Sequence, residues 1–182
     1  LQHKGYRNYL YARILISGAR QMVAVAIGWQ VYDLARETRS IEESAFLLGM
    51  IGLTMFLPVL TLSLYGGQVA DRFNRKTILV IATVVRIGVM IGLLVSTYMA
   101  TALALQTICC LAAVLGIVNA FFPAAAGALY PNLIPLKDLH QAIAWNSLGF
   151  QLAAITGPAI GGFLFIGGLA LVYGVAATFA SL

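Results

Sequence analysis

Long apolar runs dominate the chain, and short polar or glycine-rich breaks separate them. A helix needs about 20 predominantly apolar residues to cross a bilayer. Six segments approach or exceed that length, at 9–34, 45–70, 77–98, 102–129, 141–166 and 169–182. The sixth is too short to cross. The sequence begins without Met and stops inside that run, so residues 1–182 are read as an N-terminal transmembrane bundle, either a half-module or part of a longer protein, with a C-terminal bundle absent. A membrane barrel would instead show segments of about 10 residues alternating apolar and polar positions. The continuous runs predict helices, the other way to satisfy backbone polar groups in lipid. The expected fold class is all-α integral membrane.

Composition agrees with the pattern. Hydrophobic residues make up 61% and charged residues 9% of the chain, with a mean hydropathy of +0.93. A soluble domain carries about 25% charged residues, so most of this surface faces lipid. A signal peptide does not account for runs that recur along the whole length. Cys109 and Cys110 are adjacent inside an apolar run, which points to small packing residues rather than a disulfide framework or a metal site. No cofactor is implied.

The net charge of +5 matters through its distribution. Lys4 and Arg7 precede the first run, Arg72, Arg75 and Lys76 follow the second, and Lys137 follows the fourth. On the other side Arg36 and Arg39 are offset by Glu37, Glu42 and Glu43, and the link 99–101 is uncharged. Lysine and arginine bias loops toward the cytoplasm. The N-terminus and the 71–76 turn are therefore expected on the cytoplasmic face of a bacterial inner (plasma) membrane, and nucleic acid is not a partner. Tyr6, Tyr9, Tyr11, Trp29 and Tyr32 fall near the ends of the first run, as an interfacial aromatic belt does.

Gly66 to Lys76 is the most informative break. Gly66 and Gly67 permit close approach of another helix. Asp71 places an anion at the membrane surface, within reach of a helix N-terminus or an arginine. Asn74 suits a tight turn because Asn tolerates left-handed backbone angles. Arg75 and Lys76 can hold lipid phosphates. A second pair, Gly161-Gly162, lies near the opposite end of the fifth run, the position that an inverted 3+3 repeat of helices requires. The simplest reading of the break is a positive-inside turn with no moving part.

The spacing Gly67-x-x-x-Asp71-Arg72-x-Asn74-Arg75-Lys76 between the second and third spans resembles the signature loop of the major facilitator superfamily, which usually has Gly where this chain has Asn74. The stretches 28–34, 56–58, 122–124, 131–135, 146–147 and 157–162 are similar to its enterobactin-exporter and macrolide-efflux branch. The resemblance covers nearly the whole chain and implies the N-terminal six-helix half of a rocker-switch transporter, with a substrate cavity between the two halves. It further implies that Gly67, Asp71, Arg72, Arg75 and Lys76 form a conformational latch against the other half. Gly157, Pro158, Gly161 and Gly162 resemble the antiporter motif of the fifth helix, where a domain-interface role competes with ordinary tolerance of Gly and Pro in membrane helices.

Charges inside the spans bear on the cavity. Arg20 and Gln21 lie near the middle of the first run and Arg86 near the middle of the third. Arg13, Ser17 and Arg20 share a helix face. A mid-bilayer arginine costs about 2.5–3.5 kcal/mol even on the lenient scale, so each needs water or a partner. No carboxylate of the chain lies equally deep. Arg20 and Gln21 are the first cavity candidates, facing an anionic part of a substrate, with pairing inside the bundle as the alternative for Arg20. Arg86 is expected to be a bundle residue, because the third helix of this fold is peripheral to the cavity. Asn119, Asn146 and Gln151 are polar positions on the helices expected to line it, and each also suits an interhelical hydrogen bond. Helix four lacks the arginine found in drug antiporters, so Asp33 is the remaining proton-coupling candidate, with an interfacial role as its alternative.

Phosphate-binding glycine loops, paired catalytic carboxylates and metal-ligand spacings are missing from the sequence, and an enzyme is not expected. His3 and His140 are expected to be solvated. The reading is a secondary exporter of small organic molecules, drug-like or siderophore-like, driven by proton antiport, with protons, membrane lipid and the second half as partners. A lysophospholipid transporter of the same fold and a six-helix scaffold subunit are the alternatives.

Overall fold

The computed structural model describes residues 4–129 and 139–181, and every element among them is an α-helix. In chain order they are α1 (Lys4–Arg36), α2 (Ile41–Arg72), α3 (Arg75–Ser96), α4 (Thr101–Leu129), α5 (Leu139–Phe165) and α6 (Leu169–Ser181). The first five are long and apolar enough to cross a bilayer, and α6 is a shorter apolar helix. The stretch 131–135, Lys137 and His3 lie outside the described residues.

The helices overrun the apolar runs at several ends, because backbone hydrogen bonding continues into the polar interface where hydropathy stops. α2 starts at Ile41 with Ser40 as N-cap: Ser40 Oγ accepts from the Glu43 N–H at 3.2 Å, and a Glu43 carboxylate oxygen accepts from the Ser40 N–H at 3.3 Å. This reciprocal box satisfies two of the donors a helix start leaves open. On the same end of the bundle, Thr101 Oγ1 donates to Glu37 Oε2 at 2.7 Å, tying the α1–α2 turn to the start of α4. α5 is closed by a turn through Gly168, whose φ of +104° suits only glycine.

The core lies between α1, α3, α4 and α6, with Met22, Val31, Met90, Leu93, Ile108 and Tyr173 fully buried. α2 packs most extensively on α4, and α5 on α1, so these two helices flank the core from outside. Exchanging the first three helices for the last three maps α1–α5 packing onto α4–α2 and α3–α4 onto α6–α1, and leaves α3–α6 unchanged. This is the packing pattern of an inverted repeat of helix triplets.

Glycines set both flanking contacts. A Cβ on Gly66 of α2 would meet the Ala120 carbonyl oxygen of α4 at 2.7 Å, and one on Gly161 of α5 would meet Met22 Cα of α1 at 3.0 Å. Gly67 and Gly162 have open space where a Cβ would stand. In each pair, therefore, the first glycine carries the close approach.

Two tyrosines expected in the aromatic belt instead join helices. Tyr6 is buried and donates to the Ala142 carbonyl on α5 at 2.7 Å, and Tyr9 donates to the Ala126 carbonyl on α4 at 2.9 Å. Their hydroxyls reach carbonyls of neighbouring helices, which a headgroup-facing tyrosine does not. Tyr11 and Trp29 are exposed, with Trp29 stacked on Phe165 at 5.6 Å between ring centroids.

Candidate functional site: a cationic cavity and a charged turn

α1, α3 and α4 line a half-open cavity of about 280 Å³ near the middle of the spans, with Met55 of α2 on one side. Its polar lining is Arg20, Gln21, Arg86 and Asn119. A smaller space of about 60 Å³ adjoins the same Arg20, Arg86 and Asn119 and is bounded by Ser17, Phe122 and Phe150. Neither lining contains a carboxylate among the described residues.

Arg86 is only 3% exposed. Its Nη2 donates to Asn119 Oδ1 at 3.1 Å, and its Cζ stands 4.8 Å from the Phe122 ring centroid. The amide oxygen and the π face both carry partial negative charge, so they offset part of the cost of placing a guanidinium among apolar helices. The Arg86 Nε atom is buried and has no hydrogen-bond partner among the described residues. Arg20 is partly exposed and sits 5.6 Å from the Phe150 centroid. Gln21 is held from behind by α5: a Cβ on Gly157 would come 2.7 Å from Gln21 Cβ and 3.0 Å from the Gly18 carbonyl oxygen. The bare backbone of Gly157 lets α5 lie against the root of a cavity side chain. The close contacts of Gly157 and Gly161 are thus to α1 of the same bundle, while Pro158 is half-buried and Gly162 is exposed.

Arg86 of α3 lines this cavity of the single bundle beside Arg20. It meets Asn119 because α3 and α4 are not paired by equal counting from their shared loop. Leu111 lies over Gly92 and Asn119 bonds Arg86, pairings six and eight residues further along α4 than equal counting gives. At a rise of about 1.5 Å per residue, that slip carries Asn119 to the level of Arg86. An arginine and an amide on successive spans were the available sequence signal, but their spacing alone points to the wrong partner.

The remaining polar candidates lie elsewhere. Asn146 is on the α1-facing seam of α5 with Ala142 and Gly149, and its Oδ1 is buried without a partner among the described residues. Gln151 is exposed on the opposite side of α5, and Asp33 is exposed near the end of α1. Neither of them lines the cavity.

The charged break is tighter than the sequence suggests. α2 continues through Asp71 and Arg72, leaving Phe73 and Asn74 as the whole connection. Asn74 is the N-cap of α3, its Oδ1 accepting the Lys76 N–H at 3.0 Å. Its φ of −62° is not left-handed, so Asn is used here for its side-chain acceptor rather than for backbone tolerance. Asp71, Arg72 and Lys76 are exposed, Arg75 is half-buried, and Gly67 leaves open space on the same end of α2.

Comparison with known proteins supplies the family. Residues 1–181 match the model of the transmembrane secretion effector family. The chain is 31% identical over 181 residues to the enterobactin exporter of Shigella dysenteriae serotype 1, covering 96% of this chain and 40% of that protein. It is 30% identical over 181 residues to the enterobactin exporter of Salmonella typhi, covering 96% and 41% respectively. It is 29% identical over 121 residues to the staphyloferrin A transporter of Staphylococcus aureus, covering 66% and 30%. The chain thus spans less than half the length of these relatives. No solved structure gives a significant match. The chain is an integral membrane protein that belongs to the transmembrane secretion effector family, within the major facilitator superfamily of transporters.

Proposed function

We propose that this chain is the N-terminal bundle of a secondary exporter for small organic molecules of the siderophore type, working by alternating access and driven by proton antiport. The observation that carries the reading is the polar cavity at mid-span lined by Arg20, Gln21, Arg86 and Asn119. A scaffold helix bundle gains nothing from unpaired guanidinium donors at that depth, whereas a transporter needs a wet, chemically selective chamber there.

In this reading a second bundle supplies the other wall of the chamber. It covers the exposed apolar faces of α2 and α5, where Phe56, Leu60, Leu64, Ile155 and Phe163 project. Asp71 caps a helix of that bundle when the inner side is closed, with Gly67, Arg72, Arg75 and Lys76 shaping the turn, and Gly162 and Pro158 lie along the same interface. The N-terminus and the 73–74 turn are cytoplasmic, on the inner face of a bacterial plasma membrane. Asn146 and Gln151 line later parts of the pathway, and Asp33 is the proton-coupling candidate.

The test is transport by the full-length protein in everted vesicles energised by respiration, with enterobactin as probe. Accumulation that collapses on adding a protonophore is the expected result. Equal enterobactin levels in energised and de-energised vesicles exclude the export reading.

A further inference from the structure

We propose that Arg86, not only Arg20, is a substrate-recognition residue, and that it selects molecules carrying an anionic oxygen group, a carboxylate or phenolate, on an apolar frame. The proposal rests on the transport reading above and names the chemistry its cavity selects.

Three observations carry it. Arg86 is almost wholly buried, yet its Nε–H has no acceptor among the described residues. A guanidinium presents five donors in a planar fork, and a carboxylate is the group that matches two of them at once. Asn119 holds one donor and Phe122 faces the guanidinium carbon, so the side chain is already oriented and loses little freedom on binding.

Charge balance points the same way. Arg20 and Arg86 line the same half-open space with no carboxylate in its lining among the described residues. Two like charges beside each other among apolar helices raise each other's cost, and an entering anion relieves both. The chamber of about 280 Å³ has room for several water molecules or one small acidic group.

The rest of the lining distinguishes an organic acid from an inorganic anion. Val23, Ala24, Met55, Met90 and Leu115 surround the polar cluster. A fully hydrated ion would exchange its water shell for these apolar walls, whereas a carboxylate on a hydrocarbon frame places each part against matching chemistry. Asn119 is then a positioning residue, acting through the arginine it orients.

The experiment compares benzoate with benzamide, its neutral near-isostere, by calorimetry on the protein in nanodiscs, with sodium phosphate as the inorganic arm. Benzoate is expected to bind at least tenfold more tightly than benzamide, and phosphate not to displace it. Arg86→Gln should cut that preference several-fold, leaving the part that Arg20 supplies. Asn119→Asp keeps the arginine and its neighbour's shape but installs a carboxylate beside it, so it should cut the preference to a similar extent without loosening the fold. Equal binding of benzoate and benzamide, displacement of benzoate by phosphate, or a preference unchanged in Arg86→Gln or in Asn119→Asp each overturns the assignment. An Arg86-dependent preference for benzoate in a protein that exports nothing when energised upholds the anion site and removes the export reading instead.

Discussion

Tyr173 of α6 donates its hydroxyl to Gln30 Oε1 of α1 at 2.6 Å, and Gln30 Nε2 passes the chain on to Ser96 Oγ of α3 at 3.1 Å. All three side chains are buried, Tyr173 and Gln30 at 0% and 2% exposure, and Ser96 in turn donates to the Leu93 carbonyl at 2.7 Å. Three helices of the core are thereby locked in rotation by one connected set of hydrogen bonds. Interhelical bonds of this kind average about 0.6 kcal/mol in membrane proteins and reach about 1.7 kcal/mol. Tyr173→Phe keeps the ring and orphans the Gln30 oxygen, so it should destabilise the bundle by about 1 kcal/mol. A lowered midpoint of unfolding in mixed detergent micelles measures this. No change would show that the network is not cooperative.

The glycine pairs give a graded set of substitutions. Gly66→Val drives side-chain atoms into the Ala120 carbonyl, and Gly161→Val into Met22. Overpacking of this kind costs about 1–3 kcal/mol. Gly67→Ala and Gly162→Ala enter open space and should leave the unfolding midpoint of the bundle unchanged. The reverse ranking, with the second glycine of each pair the sensitive one, contradicts the packing described here.

Asn74 predicts a capping phenotype. Asn74→Ala removes the acceptor for the Lys76 N–H and should cost about 1 kcal/mol, while Asn74→Asp should preserve the cap. Hydrogen exchange at the first turn of α3 reports it directly: faster at 75–78 in the Ala variant and unchanged in the Asp variant.

Asp71 is exposed within this bundle, so its loss should be almost silent in stability. Under the latch proposal, Asp71→Asn slows transport in the full-length protein while leaving its expression and unfolding midpoint as they were. Wild-type transport rates in proteoliposomes remove the latch.

Asp33 bears on coupling. Under the antiport proposal, Asp33→Asn abolishes uptake driven by a pH gradient in everted vesicles and spares downhill exchange of substrate. Intact pH-driven uptake moves the coupling group elsewhere.

Much of this molecule was legible before folding. Lipid as the solvent follows from a chain that is 61% hydrophobic and 9% charged, and helices follow from apolar runs too long and too continuous for barrel strands. Arg20 and Gln21 stand out in the sequence because a polar group in mid-span is costly without water or a partner. Helix ends were less legible, since hydropathy stops at the interface while capping by Ser40 and Asn74 acts beyond it.

The sequence by itself determined which residues enter the membrane and which glycines could bring two backbones together, because both depend on the chemistry of single residues and short spacings. Only the tertiary structure decided the partners. Gly66 rather than Gly67 meets α4, Tyr6 and Tyr9 bond neighbouring helices, and Arg86 turns inward onto Asn119. The physical reason is the axial slip and rotation of packed helices. They are fixed by many small contacts spread over whole faces, so neither can be counted along the chain. In this bundle that slip sets two arginines around one cavity.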